Sequence, residues 1–266
     1  MFSRRTLLLG IAGLSATAVS GGLAPAANAL TAKSGRRENI QPWLLTVRRP
    51  RFLVTDLTQR AHGSVLFLGD STSAKLCPRL AKRLESSGVG PFCVDINLGR
   101  LIARNRSYSP SAITSVRQAR QAGFDAQSYV IALGFPDIVN NMQDPRFAKD
   151  PVATAVAITE PLLTEIGADR TVGILNLHGA TKFTGSRALL FNEGLAQVAA
   201  AWPNVRVIDW AGVARSHRAW HMPDGIHYRW RGIPARHQFI ATTIRNIAQQ
   251  HGANPPAPTS LPDTPA

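Results

Sequence analysis

The chain is poor in cysteine, in acidic residues and in long apolar segments, and each shortage excludes a class of protein. Two cysteines among 266 residues are too few for a disulfide-stabilised scaffold or a four-cysteine zinc site. Asp and Glu number 16 against 30 Lys and Arg, and the net charge of +14 favours acidic partners. The hydrophobic fraction of 44% is typical of globular proteins, which excludes collagen-like, coiled-coil and wholly disordered chains.

The N-terminus has the pattern of an export signal. Paired arginines at positions 4 and 5 precede an apolar or small run over residues 7–19, as in twin-arginine signals. The run is too short and too rich in glycine for a permanent membrane span, although an uncleaved anchor is the alternative. Residues 27–29 (Ala-Asn-Ala) have the small-x-small form of a cleavage site. We therefore expect residues 1–29 to be removed and the mature protein to be secreted or attached to the cell envelope.

Export narrows the partners that the positive charge would attract. Removing Arg4 and Arg5 from the 30 basic residues leaves 28 against 16 acidic ones, a net charge of +12. The expected partner is an anionic envelope glycan or a lipid headgroup, because an exported protein seldom meets chromosomal DNA. The basic residues form short scattered groups, which argues against a nucleic-acid-binding arm. A charge that only maintains solubility is the alternative.

Short apolar segments alternate with helical patterns over residues 61–251, which we take as one domain. The predicted strands are 64–69, 92–97, 128–133, 171–177 and 205–209. The predicted helices are 73–86, 111–122, 151–166, 186–201 and 234–249. This alternation indicates βαβ units, and hence one parallel five-stranded α/β sheet covered on both faces.

The two flanks of this domain carry no such pattern. Residues 30–60 are charged and lack periodicity, and we expect an extended lead-in there. Residues 252–266 are rich in proline, and we expect that tail to be disordered.

A serine, an aspartate and a histidine stand near the ends of predicted strands. Ser71 follows the first strand, while Asp224 and His227 lie beyond the fifth and before the last helix. Because parallel strands place their carboxyl ends at one edge of the sheet, we expect these side chains to converge. A serine hydroxyl becomes nucleophilic when a histidine takes its proton, and a carboxylate can orient that histidine. A plain helix N-cap is the alternative role for Ser71.

These residues stand within motifs that resemble those of the SGNH (GDSL-type) hydrolases. Gly-Asp-Ser at 69–71, Gly99 after the second strand and Asp224-x-x-His227 before the last helix carry the resemblance. The resemblance covers residues 64–250. Within the family, the sequence is most similar to exported actinobacterial members. It implies a flavodoxin-like three-layer α/β/α sandwich with esterase, lipase, carbohydrate O-deacetylase or acyl-transfer activity. No metal and no cofactor are implied.

The resemblance also implies a role for each matched residue. Ser71 would be the nucleophile, His227 the general base and Asp224 the carboxylate that orients it. The backbone N–H groups of Ser71 and Gly99 would donate hydrogen bonds to the oxyanion. Each such donor contributes roughly 3 kcal/mol to stabilising the transition state.

The third motif departs from the family pattern, Gly-x-Asn-Asp, in which the Asn side chain is an oxyanion donor. Pro136 holds the Asn position here, and proline has neither a side-chain donor nor a backbone N–H. Three accounts are open. Another amide, Asn140, Asn141 or Asn176, fills the oxyanion hole; the enzyme works slowly with two donors; or the site binds or transfers an acyl group instead of hydrolysing it.

Four further residues have open interpretations. Arg100, beside the oxyanion glycine, is a candidate for binding a substrate carboxylate or phosphate, or else is a solvated loop arginine. His178, at a strand end, either lines the substrate pocket or is a hydrogen-bonded loop histidine. Cys77 and Cys93 would form one disulfide in an oxidising compartment, or else are two buried thiols.

The sequence thus predicts an exported serine esterase that acts on an acylated envelope carbohydrate or lipid through an acyl-enzyme. An acyltransferase with the same site is one alternative. A non-catalytic protein that binds an envelope glycan or lipid on the same scaffold is another, and Pro136 favours it. Only the net charge supports a nucleic-acid-binding protein.

Overall fold

A computed structural model describes residues 51–54, 64–73, 77–86, 92–139 and 144–253. The strands are β1 (Arg51–Val54), β2 (Val65–Gly69), β3 (Phe92–Ile96), β4 (Ser128–Ala132), β5 (Thr171–Leu175) and β6 (Val205–Ile208). The helices are α1 (Cys77–Ser86), α2 (Ala112–Gln121), α3 (Phe135–Ile138), α4 (Pro151–Ile166), α5 (Lys182–Ala201), α6 (Trp210–Arg215) and α7 (Gly232–Ala253). Two short 3₁₀ turns cover Pro145–Ala148 and Arg218–Trp220. The predicted signal, most of the lead-in and nearly all of the tail lie outside the described ranges.

The strands form one sheet in the order β1-β3-β2-β4-β5-β6. The five predicted strands, β2 to β6, are parallel, so the predicted parallel sheet is confirmed. β1 was not predicted. It lies in the segment that we expected to be an extended lead-in, and it pairs antiparallel with β3, where Arg51 lies opposite Ile96. From β2, the next strand in the chain, β3, lies on one side, while β4, β5 and β6 follow on the other side, so the strand order reverses between β2 and β4. In sheets of this kind, ligands bind in the crevice that this switch opens at the carboxyl ends of the strands.

The central strands are buried on both faces, which explains their uninterrupted apolar sequences. In β2, Leu66 and Leu68 pack into one cluster with α2, α4 and α5, while Val65 and Phe67 pack into the other. The second cluster includes side chains of α1 and α7 that are four residues apart, namely Leu80, Leu84, Ile240 and Ile244. Helices therefore cover both faces of the sheet, and the predicted three-layer α/β/α arrangement is confirmed.

Capping residues fix where two of these helices begin. The Asp150 side chain accepts the backbone N–H of Ala153 at 2.9 Å, and Pro151 opens α4 at the predicted position. The helix predicted from residue 186 begins at Lys182 instead, because Thr181 and Thr184 form a capping box. Within the described ranges, each helix is too short or too polar to cross a bilayer.

Candidate active site

Ser71, His227 and Asp224 form a continuous chain of hydrogen bonds at the carboxyl edge of the sheet. Ser71 lies in the turn after β2, and the other two lie in the loop before α7. His227 Nε2 is 2.9 Å from Ser71 Oγ, and His227 Nδ1 is 2.7 Å from Asp224 Oδ2. In this arrangement the imidazole can accept the serine proton while the carboxylate holds the imidazole in place.

The loop that carries the histidine is organised by Asp224. Asp224 Oδ1 accepts the backbone N–H groups of Ile226 at 2.9 Å and of His227 at 3.0 Å, which leaves Oδ2 for the imidazole. Partial burial raises the pKa of Asp224, but the hydrogen bonds from the His227 ring and from these two backbone groups outweigh burial and lower the pKa below its usual value. Asp224 is therefore ionised at neutral pH and can stabilise a protonated His227.

The turn that carries Ser71 is organised by its neighbour Asp70. This carboxylate is 1% exposed, and its Oδ1 accepts the Thr72 hydroxyl at 2.7 Å and the Thr72 N–H at 2.8 Å. The Asp70 carbonyl accepts the N–H of Ser73 at 3.0 Å. Burial raises the pKa of Asp70, and the hydrogen bonds from Thr72 and the charge of Arg236 oppose that rise. Asp70 and Thr72, the residues on either side of Ser71, are therefore hydrogen-bonded to each other.

Two backbone donors lie in the turns that follow β2 and β3. Gly99 has a φ of 65°, a left-handed conformation that favours glycine. The N–H of Asn97 donates to the Gly69 carbonyl at 3.1 Å, which joins the two turns at their bases. The N–H groups of Ser71 and Gly99 have no hydrogen-bond acceptor within the described residues. Both are free to donate to an oxyanion, which agrees with the predicted role that remains to be tested.

Pro136 stands in the first turn of α3 and is buried. Of the amides proposed to replace the family asparagine, only Asn176 lies within the described residues, because Asn140 and Asn141 fall in the gap at 140–143. Asn176 Nδ2 donates to Asp209 Oδ1 at 2.9 Å, and its Oδ1 accepts the N–H of Ala211 at 2.6 Å. Its amide thus tethers the end of β5 to the start of α6, so the structure does not support Asn176 as the third oxyanion donor.

Arg100 does not reach the surface. It is 0% exposed, its Nη2 lies 2.7 Å from Asp95 Oδ1, and its Nη1 donates to the Asp95 carbonyl at 3.0 Å. The side chain of Asn97 donates to the same carboxylate at 3.1 Å. Arg100 therefore braces the end of β3, and the prediction that it binds substrate is wrong. Asp95, an acidic residue within an otherwise apolar strand and five residues before Arg100, was the sequence signal for this ion pair.

His178 lies beside the loop that carries His227. Its ring centroid is 5.2 Å from that of His221, whose ring in turn lies 4.7 Å from Tyr228. Burial, with the nearby charge of Arg215, lowers the pKa of His178. A pocket-lining role for His178 stays a prediction.

The proposed disulfide also stays a prediction. Cys93 is buried in β3, whereas the side chain of Cys77 lies outside the described part of the chain.

The structure adds residues that sequence reasoning missed. A small pocket, partly open to solvent, adjoins the nucleophile. Its lining includes Ser71, His227, Tyr228, Arg236 and His237. The last two belong to α7, and both are more than nine-tenths buried. The sequence offered no signal for them, because they stand in a helix whose pattern indicated packing alone.

Asp137, in the third motif, is buried and largely protonated at neutral pH. Both of its carboxyl oxygens lie near the N–H of Ile102, at 3.2 and 3.3 Å. Burial raises the pKa of Asp137 to about 8; the Ile102 N–H lowers it, and the charge of Asp70 raises it further. Between the unfolded pKa near 4 and the folded pKa near 8, the folded state binds more protons than the unfolded state. The free energy of unfolding therefore falls across this range as pH rises.

Asp137→Asn is expected to stabilise the protein more at pH 8 than at pH 5. The amide retains an acceptor for Ile102 but has no proton to lose, so it removes a penalty that grows by up to about 1.4 kcal/mol per pH unit. Thermal unfolding of both proteins at the two pH values measures the difference. An equal change in Tm at both pH values would contradict the raised pKa.

Comparison with known proteins identifies the fold. No protein-family model and no curated protein matches the chain. The C-terminal catalytic domain of peptidoglycan O-acetyltransferase A from Streptococcus pneumoniae, solved with a methylsulfonyl adduct, is 17% identical, with a TM-score of 0.50 over 72% of this chain and 96% of that one. A protein from Agrobacterium tumefaciens described as an arylesterase is 17% identical, with a TM-score of 0.50 over 69% and 99%. The chain therefore has the fold of the SGNH hydrolases, as its motifs indicated.

Proposed function

We propose that the protein is a serine esterase that cleaves an acyl ester through a covalent intermediate on Ser71. The observation that carries this proposal is the chain of hydrogen bonds from Asp224 through His227 to Ser71, with distances of 2.7 and 2.9 Å. The fold supports it, because two of the structures with this fold are described as an acetyltransferase and an arylesterase.

The reaction follows from this geometry. His227 Nε2 takes the proton of Ser71 Oγ as the oxygen attacks the ester carbonyl, and the ionised Asp224 stabilises the imidazolium. The N–H groups of Ser71 and Gly99 donate to the oxyanion that forms. The C–O bond of the ester then breaks, and the alcohol leaves with the proton from His227. Water attacks the acyl-enzyme with His227 again as base, which releases the acid and restores the Ser71 hydroxyl.

Solvent access favours water as the acyl acceptor. The side chains of His227 and Asp224 are 36% and 44% exposed, so water reaches the general base. A transferase has to exclude water from the acyl-enzyme and admit a second alcohol instead. Transfer to an acceptor sugar by the same residues is the second candidate, and the likeness to an O-acetyltransferase fold is the observation that favours it.

The proposed substrate is an acylated carbohydrate or lipid of the cell envelope. The net charge of +12 that remains without Arg4 and Arg5 supports an anionic polymer or lipid surface as the setting of that ester. The twin-arginine pattern at residues 4–5 supports export to the envelope or beyond.

Labelling with a fluorophosphonate probe tests the proposed nucleophile. We expect one covalent adduct per chain on residues 30–266, measured by intact mass, and none on Ser71→Ala. Ser73→Ala is the matched control, because Ser73 lies in the same turn and is 1% exposed, and this variant should be labelled like the wild type. A folded wild type that takes no label would refute the esterase and favour a non-catalytic binding protein.

A further inference from the structure

We propose that Arg236 is a positioning residue that aligns the nucleophile with the general base; this inference rests on the proposed function. Ser71 and His227 come from loops 156 residues apart in the chain, yet their reacting atoms must lie within hydrogen-bond distance. Arg236, on α7, contacts a sequence neighbour of each. Its guanidinium therefore links the two loops between which the triad is divided.

On the side of the nucleophile, Arg236 acts through Thr72. Its Nη2 donates to Thr72 Oγ1 at 3.1 Å, and that hydroxyl donates to Asp70 Oδ1 at 2.7 Å. A positive charge, a hydroxyl and a buried carboxylate thus form a chain around Ser71. The charge of Arg236 also opposes the rise that burial causes in the pKa of Asp70.

On the side of the base, Arg236 lies against Tyr228, the residue after His227. Its guanidinium carbon is 5.1 Å from the ring centroid of Tyr228 and 5.1 Å from that of Trp210. The two rings are joined by a hydrogen bond of 2.7 Å from Trp210 Nε1 to the Tyr228 hydroxyl. A planar guanidinium can stack flat on aromatic faces while it donates hydrogen bonds in its plane, whereas an ammonium group is a compact charge without a planar face.

The environment of Arg236 argues against a role in packing alone. The residue is 4% exposed and has no carboxylate within ion-pair distance in the described part of the chain. Its Nε has no hydrogen-bond partner there either. Burial of a guanidinium in this manner is costly, and an apolar side chain would fill the same volume at lower cost. The link between the two loops accounts for a charged residue at this position.

The test compares Arg236→Gln with Arg231→Gln, using p-nitrophenyl acetate as substrate. Arg231 is the matched control, because it is exposed and its guanidinium lies 4.9 Å from the ring of exposed Trp230. We expect Arg236→Gln to lower kcat by about 10- to 100-fold, since small misplacements of reacting groups have effects of this size. KM should change by less than about threefold, because the substrate still binds. Arg231→Gln should stay within about twofold of the wild type in both constants.

Two further variants separate positioning from charge or stability. Arg236→Lys keeps the charge but not the planar donor, so it should be impaired almost as much as Arg236→Gln. Thr72→Val removes the hydroxyl at nearly constant volume, and its loss of kcat should not add to that of Arg236→Gln. Thr72→Val also tests the link if Arg236→Gln does not fold.

Several outcomes would overturn the inference. Equal rates for the two Gln variants, full activity in Arg236→Lys, unchanged kcat in Thr72→Val or additive losses in the double variant would each do so. A wild type that neither turns over the ester nor takes the fluorophosphonate would instead refute the proposed function.

Discussion

Replacement of His227 by alanine is expected to lower kcat for ester hydrolysis by about 10⁶-fold, as for the histidine of other serine hydrolases. The variant removes the group that takes the proton from Ser71 Oγ across a distance of 2.9 Å. His217→Ala is the matched control, because His217 is exposed and stacks on Trp220 with ring centroids 3.8 Å apart. Rates measured with p-nitrophenyl acetate, beside thermal unfolding, would separate the two variants. A His227→Ala enzyme that keeps more than a few per cent of the rate would exclude His227 as the base.

Asp224→Asn extends this prediction and is expected to lower kcat by about 10⁴-fold. The amide oxygen can still accept the N–H groups of Ile226 and His227, so the loop should keep its conformation. The amide nitrogen then faces His227 Nδ1 and donates to it, which places the ring proton on Nε2. With that tautomer, Nε2 cannot accept the proton of Ser71. A loss much smaller than this would mean that Asp224 does not control the tautomer.

Pro136→Asn is expected to raise kcat by on the order of 10²–10³, because it restores a side-chain donor at the family position. The backbone cost is small, since the first N–H groups of a helix need no partner within the helix and Pro136 lies in the first turn of α3. KM should change little, because the restored hydrogen bond forms mainly in the transition state.

Pro136→Ala is the control for this experiment. It restores the backbone N–H but supplies no side-chain donor, and it should leave kcat within about threefold of the wild type. Equal rates for the Asn and Ala variants would show that another group already fills the oxyanion hole. Asn140 and Asn141 would then be the next residues to replace.

The sequence correctly predicted the strands and helices whose burial or capping produces a recognisable local pattern. β2 was predictable because a strand covered on both faces needs an uninterrupted apolar run, and α4 because Asp150 and Pro151 mark its start. The convergence of Ser71 with His227 followed from the shared edge of a parallel sheet. β1 was not predictable, because four residues carry too little pattern and its pairing with β3 is distant in sequence.

The failures concern the direction and burial of side chains. Arg100 follows Gly99 in sequence, which suggested a role at the oxyanion hole, but its side chain turns inward to Asp95. The raised pKa of Asp137 and the contacts of Arg236 depend on which groups surround them after folding. One-dimensional spacing does not determine such surroundings, so the roles of Asp137 and Arg236 could be identified only in three dimensions, whereas Asp95 in the sequence was a signal for the burial of Arg100.

The division of the triad between the turn after β2 and the loop before α7 has a consequence for biosynthesis. During synthesis, Ser71 emerges from the ribosome well before His227, with four strands of the sheet still to be made. Under the proposed function, Ser71 would therefore lack its general base in any chain that ends before His227, and such a truncated product should form no acyl adduct. Among the described helices, α7 is the one that brings Arg236 to Thr72, so under the proposed function reactivity with an acyl donor would appear only after α7 has been made and packed.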